Sequence, residues 1–114
     1  MPAAETGHEP SSHLAIGDVA DAVAIQAGSV VSKVVYRDEH LNVTVFGFDA
    51  GEELTEHRAE RAANVQVLRG RLELTVDGET FDAGQGFWLH MASGAPHALV
   101  AVEPTVMLLT LFRA

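Results

Sequence analysis

The sequence has no cysteine, few aromatic residues and little positive charge. Without cysteine in its 114 residues, the chain has no disulfides, thiolate nucleophiles or zinc–thiolate sites, and nothing calls for an oxidising compartment. Seven lysines and arginines stand against sixteen aspartates and glutamates, which gives a net charge of −9. So negative a chain repels phosphate backbones and anionic lipid, which argues against nucleic acid and membrane surfaces as partners.

Long apolar runs are missing as well. No stretch approaches the roughly 18 consecutive apolar residues of a membrane span. Residues 1–13 hold no lysine, no arginine and no apolar segment, so we expect a disordered tail rather than a secretory signal, and a cytoplasmic protein. Residues 14–114 have the length of one domain.

What the sequence does contain is a succession of short strand patterns. Apolar and polar residues alternate along 41–48 and 71–76, as in half-buried strands. Between 71–76 and the next strand lies Asp77-Gly78, the dipeptide that a type I′ hairpin turn prefers. About nine such strands, with turn signals every ~8–12 residues, predict an all-β sandwich or barrel.

Two segments are less clear. Residues 14–27 fit either a short helix or a loose strand. Residues 52–64 are rich in helix formers, but the β spacing on both sides favours a strand that leads into a loop.

Three histidines, His57, His90 and His97, lie in the β region. Histidines from distant strands can converge at the mouth of a barrel, where small ligands bind. Two spaced patterns of glycine and histidine contain His57 and His97. The first consists of Gly51, His57 and Gly70, and the second of Gly86, Gly94 and His97. At these residues the chain resembles the cupins, small single-domain bacterial barrels, over roughly 30–112. The resemblance implies a double-stranded β-helix, or jelly-roll barrel.

The resemblance also implies a set of metal-binding residues. This sequence lacks part of that set. Metal-binding cupins hold iron, manganese, nickel or zinc with three histidines and a glutamate. Here Ala59 stands at the position of the second histidine and Ala63 at that of the glutamate. Two neutral imidazoles fall short of the three protein ligands of a catalytic site, and whether His90 supplies a third stays open.

We therefore expect a cupin that binds a small molecule in its barrel without a tightly held metal, the imidazoles being polar groups at the rim of an apolar cavity. The residues expected to line that cavity are His57, His90, His97, Phe46, Val65, Val67 and Trp88. One alternative is a metal-dependent dioxygenase or isomerase that uses His57 and His97. Another is a metal-free sugar epimerase, for which Tyr36, the single tyrosine, would be the acid.

Four of the seven cations, Arg58, Arg61, Arg69 and Arg71, lie within fourteen residues. They form either a solvated hairpin edge or a field that steers an anionic small molecule to the barrel.

The last strand pattern, 105–112, is apolar on both of its faces. A strand hidden on both faces needs a second covering layer, and in so short a chain the simplest layer is another subunit. We expect a two-fold homodimer formed by the outer face of one sheet, with 29–36 as a candidate for an exchanged strand.

Overall fold

The computed structural model describes residues 12–113, which form two antiparallel β-sheets. Most of the tail expected over 1–13 lies outside the described residues. Within the described part, the nine strands are β1 (Val30–Arg37), β2 (Leu41–Phe48), β3 (Glu53–Arg58), β4 (Ala63–Arg69), β5 (Arg71–Val76), β6 (Glu79–Gly84), β7 (Trp88–Met91), β8 (Pro96–Ala101) and β9 (Thr105–Phe112). Inside residues 12–113 no helix is both long and apolar enough to cross a membrane.

The strand order shows the jelly-roll arrangement. One sheet has five strands in the order β1-β2-β9-β4-β7, and the other has four in the order β3-β8-β5-β6. Most neighbours are distant in sequence, so the chain crosses repeatedly between the sheets. The core lies between them, and its largest buried side chains include Phe48, Val67, Leu72 and Leu74. The predicted all-β fold is confirmed.

Local sequence signals account for most of the connections. Asp77 and Gly78 both have positive φ, 50° and 85°, as the predicted hairpin turn between β5 and β6 requires. Residues 52–64 contain β3 followed by a short loop, so the prediction of a strand leading into a loop is confirmed. In 14–27, the open choice resolves into one short 3-10 turn over Val19–Ala22, capped by Asp18.

The outer face of the five-stranded sheet is partly covered by the chain itself. Residues 18–25, which we call the N-terminal strap, place Ala20, Val23 and Ile25 against an apolar cluster that includes Val106 and Val45. Arg69, at the end of β4, anchors the strap through ion pairs to its two aspartates, at 2.9 and 3.1 Å.

The strap corrects one part of the expectation that another subunit covers β9. Over the first half of the strand, the second layer is the same chain, which explains why Val106 is buried on the outer face. A covalently attached segment covers that face without the loss of translational and rotational freedom that association costs.

Candidate functional site

A cavity of about 260 Å³ opens at one end of the barrel. Both sheets contribute to it, because β3 and β8 belong to the four-stranded sheet and β4, β7 and β9 to the five-stranded sheet. Its lining residues are His57, Arg58, Ala59, Glu60, Arg61, Ala63, Met91, His97, Leu109 and Leu111. At about 30 Å³ per water molecule, the space corresponds to a small metabolite.

His57 and His97 lie side by side in this cavity. They are directly paired in the register of β3 and β8, and their ring centroids are 4.0 Å apart at an interplanar angle of 61°. The structure thus brings together two histidines that are far apart in sequence.

A β-bulge turns His57 towards the cavity, where its side chain remains exposed. Leu54 faces the core opposite Leu99, and strict alternation from Leu54 would send His57 to the outside. The register shifts between these two positions, so that Thr55 and Glu56 together oppose one residue of β8. Bulges commonly re-aim a side chain next to a functional site. His97 needs no such device, since it alternates regularly with Leu99 along β8.

Backbone carbonyls orient both imidazoles in the same way. Nδ1 of His57 is 2.8 Å from the carbonyl oxygen of Thr55, and Nδ1 of His97 is 3.0 Å from that of Ala95. A carbonyl oxygen can only accept, so Nδ1 carries the hydrogen in both rings. In the neutral state each Nε2 is therefore a hydrogen-bond acceptor or a ligand atom, and the carbonyl fixes its direction.

The metal ligand set implied by the family does not fit these residues. Ala59 and Ala63 line the same cavity as the histidines, and their methyl groups offer no donor atom. Within residues 12–113, no three histidine, cysteine, aspartate or glutamate side chains stand close enough together to hold an ion. Two imidazoles alone fall below the three protein ligands of a catalytic metal site.

His90 lies elsewhere. On β7 it alternates with the buried Met91 and is exposed on the outer face of the five-stranded sheet. Its Nδ1 is 2.7 Å from Oδ1 of Asn64, its partner on β4. His90 is thus not a neighbour of the histidine pair.

The other expected lining residues also stand apart from the cavity. Val65 and Val67 are fully buried in the core, and Phe46 packs against that core. Trp88 is 58% exposed on the edge strand β7. Val65, Val67 and Phe46 lie away from the end of the barrel at which the cavity opens, and Trp88 faces outward like His90, so none of the four is among the lining residues.

Sequence reasoning missed the apolar wall formed by Met91, Leu109 and Leu111. Met91 and Leu111 flank Ala63 as its register partners on β7 and β9. The position of Ala63 could have revealed this wall. Ala63 stands where the family motif has a metal-binding glutamate, so the residues next to it on the neighbouring strands must lie at the same site.

Tyr36 belongs to β1 and is not among the cavity-lining residues. Its hydroxyl donates a hydrogen bond to Oδ2 of Asp38 at 2.7 Å. This hydrogen bond is the main reason why the pKa of Tyr36 is raised above its ordinary value. The same bond lowers the pKa of Asp38, whose other oxygen accepts from two backbone N–H groups of the turn.

The arginine cluster divides into two pairs. Arg69 pairs with aspartates of the strap, and Arg71 pairs with Asp82 at 2.7 Å. Arg58 and Arg61 line the cavity, and within the described residues neither forms an ion pair. Nη1 of Arg58 instead donates to the carbonyl oxygen of Gly94 at 3.0 Å, which holds the guanidinium group beside the cavity.

Comparison with known proteins gives the family. The family model described as a cupin domain matches residues 44–112, whereas no curated protein matches the chain. A solved structure of a conserved protein of unknown function, SPY1581 from Streptococcus pyogenes, is 34% identical over 91% of each chain, with a TM-score of 0.80.

Two further solved structures are similar to the chain. An RmlC-like cupin protein from Desulfovibrio desulfuricans is 28% identical over 89% of this chain and 98% of its own, with a TM-score of 0.77. KdgF from a Halomonas species is 26% identical over 81% of this chain and 88% of its own, with a TM-score of 0.68. With a family model over more than half its length and this barrel topology, the chain belongs to the cupin family.

Proposed function

We propose that this cupin binds a small molecule in the cavity at the end of its barrel, without a tightly held metal. The observation that supports this most is the surroundings of the histidine pair. His57 and His97 are oriented by backbone carbonyls, yet Ala59 and Ala63 take up the space in which further ligands to an ion would stand.

The composition of the cavity is that of a small-molecule site. Such sites combine mostly apolar walls with a few polar groups that fix orientation. Met91, Leu109 and Leu111 supply the wall here, and the imidazoles supply oriented acceptors. The same groups would hydrogen-bond to water when no ligand is present.

Fragment binding to metal-free protein tests the proposal. We expect members of a fragment library to shift the backbone NMR signals of Ala63 and Met91 in chelator-treated protein. Ala59→Leu, which fills the cavity mouth, should abolish these shifts, whereas Ala92→Leu, at an exposed position outside the lining, should leave them in place.

Two results would overturn the proposal. One is the absence of any fragment that shifts these signals. The other is stoichiometric iron, manganese, nickel or zinc in purified protein that disappears in His57→Ala, which would favour a metal-dependent dioxygenase or isomerase. The sugar epimerase gains no support, because Tyr36 does not line the cavity. The cytoplasmic location stays a prediction.

We further propose that two copies associate through the part of the five-stranded sheet that the strap leaves uncovered. Both edge strands of this sheet carry exposed large apolar side chains: Tyr36 is 37% exposed on β1, and Trp88 is 58% exposed on β7. Tyrosine and tryptophan are among the residues enriched at protein–protein interfaces. The edge position of β1 also keeps it a candidate for strand exchange.

Sedimentation analysis tests the homodimer. The wild-type protein should sediment as two copies, and Trp88→Glu should dissociate it. Val102→Glu is the matched control, since Val102 is equally exposed, at 58%, but lies outside the five-stranded sheet. A single species of 12.1 kDa for the wild type would refute the dimer.

A further inference from the structure

We infer that the ligand of the cavity is a small hydroxycarboxylate with an apolar body. This inference rests on the proposed function and adds the chemical class of the ligand. The carboxylate would face Arg58 and Arg61, the hydroxyl group would donate to the histidine pair, and the apolar body would lie against the wall of Leu109 and Leu111.

The charges around the cavity favour an anion. The chain carries a net charge of −9, yet the lining contains two guanidinium groups, Arg58 and Arg61, against one carboxylate, Glu60. Acidic partners are plentiful, and Arg69 and Arg71 both use them. In the described part of the chain, the two cavity arginines have no carboxylate within 4.0 Å, so their charge is available to a ligand. Arginine is well suited to bind a carboxylate with two parallel hydrogen bonds.

With both rings neutral, the histidine pair favours a hydrogen-bond donor on the ligand. With Nδ1 of both rings donating to carbonyl oxygens, the neutral rings of His57 and His97 present two acceptors to the cavity. An ionised carboxylate can only accept hydrogen bonds. A ligand with a carboxylate and no donor group would therefore place its oxygens against the Nε2 acceptors of the neutral rings. A hydroxyl group resolves this, because its O–H donates to an Nε2 while the carboxylate turns to the arginines.

Size and polarity set the remainder of the ligand. Five lining residues, Ala59, Ala63, Met91, Leu109 and Leu111, carry no hydrogen-bonding side-chain group except the weak sulfur acceptor of methionine. A cavity of about 260 Å³ admits one compact apolar group beside the polar end. Burial of that group supplies the affinity that a carboxylate and a hydroxyl alone would lack.

Three probes that differ by one group each test the inference: mandelate, phenylacetate without the hydroxyl, and mandelamide without the charge. We expect calorimetry on chelator-treated protein to rank mandelate first. Phenylacetate should bind about five- to tenfold more weakly, as one lost hydrogen bond implies. Mandelamide should bind at least about tenfold more weakly, because a charge-assisted contact is lost.

Variants assign each group to its partner. Arg61→Gln should weaken mandelate about tenfold and mandelamide hardly at all. Its matched control, Arg37→Gln, removes the same charge from β1, outside the cavity, and should leave affinity unchanged. In His57→Ala, mandelate should lose most of its advantage over phenylacetate, since the hydroxyl loses an acceptor.

The outcomes separate this inference from the proposed function. If mandelamide binds as tightly as mandelate, or if phenylacetate does, the hydroxycarboxylate class is wrong. Absence of mandelate binding would overturn it as well. In each case, binding of other fragments in the cavity would still support the proposed function. The proposed function itself fails if no fragment shifts the cavity signals or if the purified protein holds a stoichiometric metal.

Discussion

Replacing Gly70 by alanine tests how closely the β4–β5 turn packs against the loop before β9. Gly70 has a φ of +88°, in the left-handed region. A Cβ atom there would be 2.3 Å from the carbonyl oxygen of Pro104 and 2.6 Å from Oγ1 of Thr105. Gly51 has nearly the same φ, +87°, but a Cβ atom there would meet nothing within 4 Å. The pair therefore separates backbone strain from steric conflict.

The expected losses follow from these distances. Left-handed φ costs a residue with a Cβ atom about 1–2 kcal/mol, which both variants share. Overpacking against backbone adds about 1–3 kcal/mol for Gly70→Ala alone. We thus expect Gly70→Ala to lose about 2–5 kcal/mol of unfolding free energy and Gly51→Ala about 1–2 kcal/mol.

Urea unfolding followed by circular dichroism measures both variants against the wild type, by linear extrapolation with a shared slope. If both variants lose the same unfolding free energy, the reasoning is refuted. That result would show that the backbone next to Gly70 moves to accept the Cβ atom without a measurable loss of stability. The same result would remove the physical explanation for the glycine that closes the first family motif.

Two further predictions concern buried and exposed hydrogen bonds. Thr105→Val should cost about 1–3 kcal/mol in urea unfolding, because the fully buried Thr105 hydroxyl accepts from the backbone N–H of Arg71 at 3.0 Å and the N–H would lose its partner. Asp49→Asn should destabilise most at neutral pH, because the backbone N–H of Gly28 donates to Oδ2 of Asp49 at 2.7 Å and lowers the pKa of Asp49. A lowered pKa gives stability above the unfolded-state pKa that is lost as pH falls through the folded-state value.

Each of these predictions has a control. Thr75→Val removes an exposed hydroxyl pair with Thr80, 3.0 Å apart, and should cost less than about 1 kcal/mol; an equal cost for Thr105→Val would contradict the argument from burial. For Asp49, unfolding of wild type and variant is compared from neutral to acidic pH. The difference in unfolding free energy between wild type and variant should become smaller as the pH falls. A difference that stays constant would contradict the role of the carboxylate charge.

The strands could be predicted because their signals are local. Alternation along 41–48 and 71–76 matches the observed bounds of β2 and β5, since one buried face imposes a period of two. Asp77-Gly78 predicted the hairpin because few dipeptides tolerate two positive φ angles in succession. The short 3-10 turn in the strap gave no clear signal, because its few apolar residues fit several conformations and packing on the outer sheet face decides among them.

The site could be predicted only in part. The resemblance to the cupin motifs predicted that His57 and His97 belong to one site. The wall of Leu109 and Leu111 depends on which residues are paired between strands, and the sequence does not give that pairing. The spacing of the arginines along the chain also does not show which of them form ion pairs with carboxylates. Arg69 does so through the strap, whose position follows from tertiary packing, while Arg61 lies at the cavity.

The bulge in β3 makes this site depend on the number of residues in a strand rather than only on their types. Insertion of a single codon next to Ala98 in β8 would give Thr55 and Glu56 one partner each, restore strict pairing, and turn the imidazole of position 57 towards the outer face. The apolar residues of the core would all remain. Related genes could thus gain or discard the histidine pair in one insertion or deletion, and an alignment that slips by one column here would hide the event.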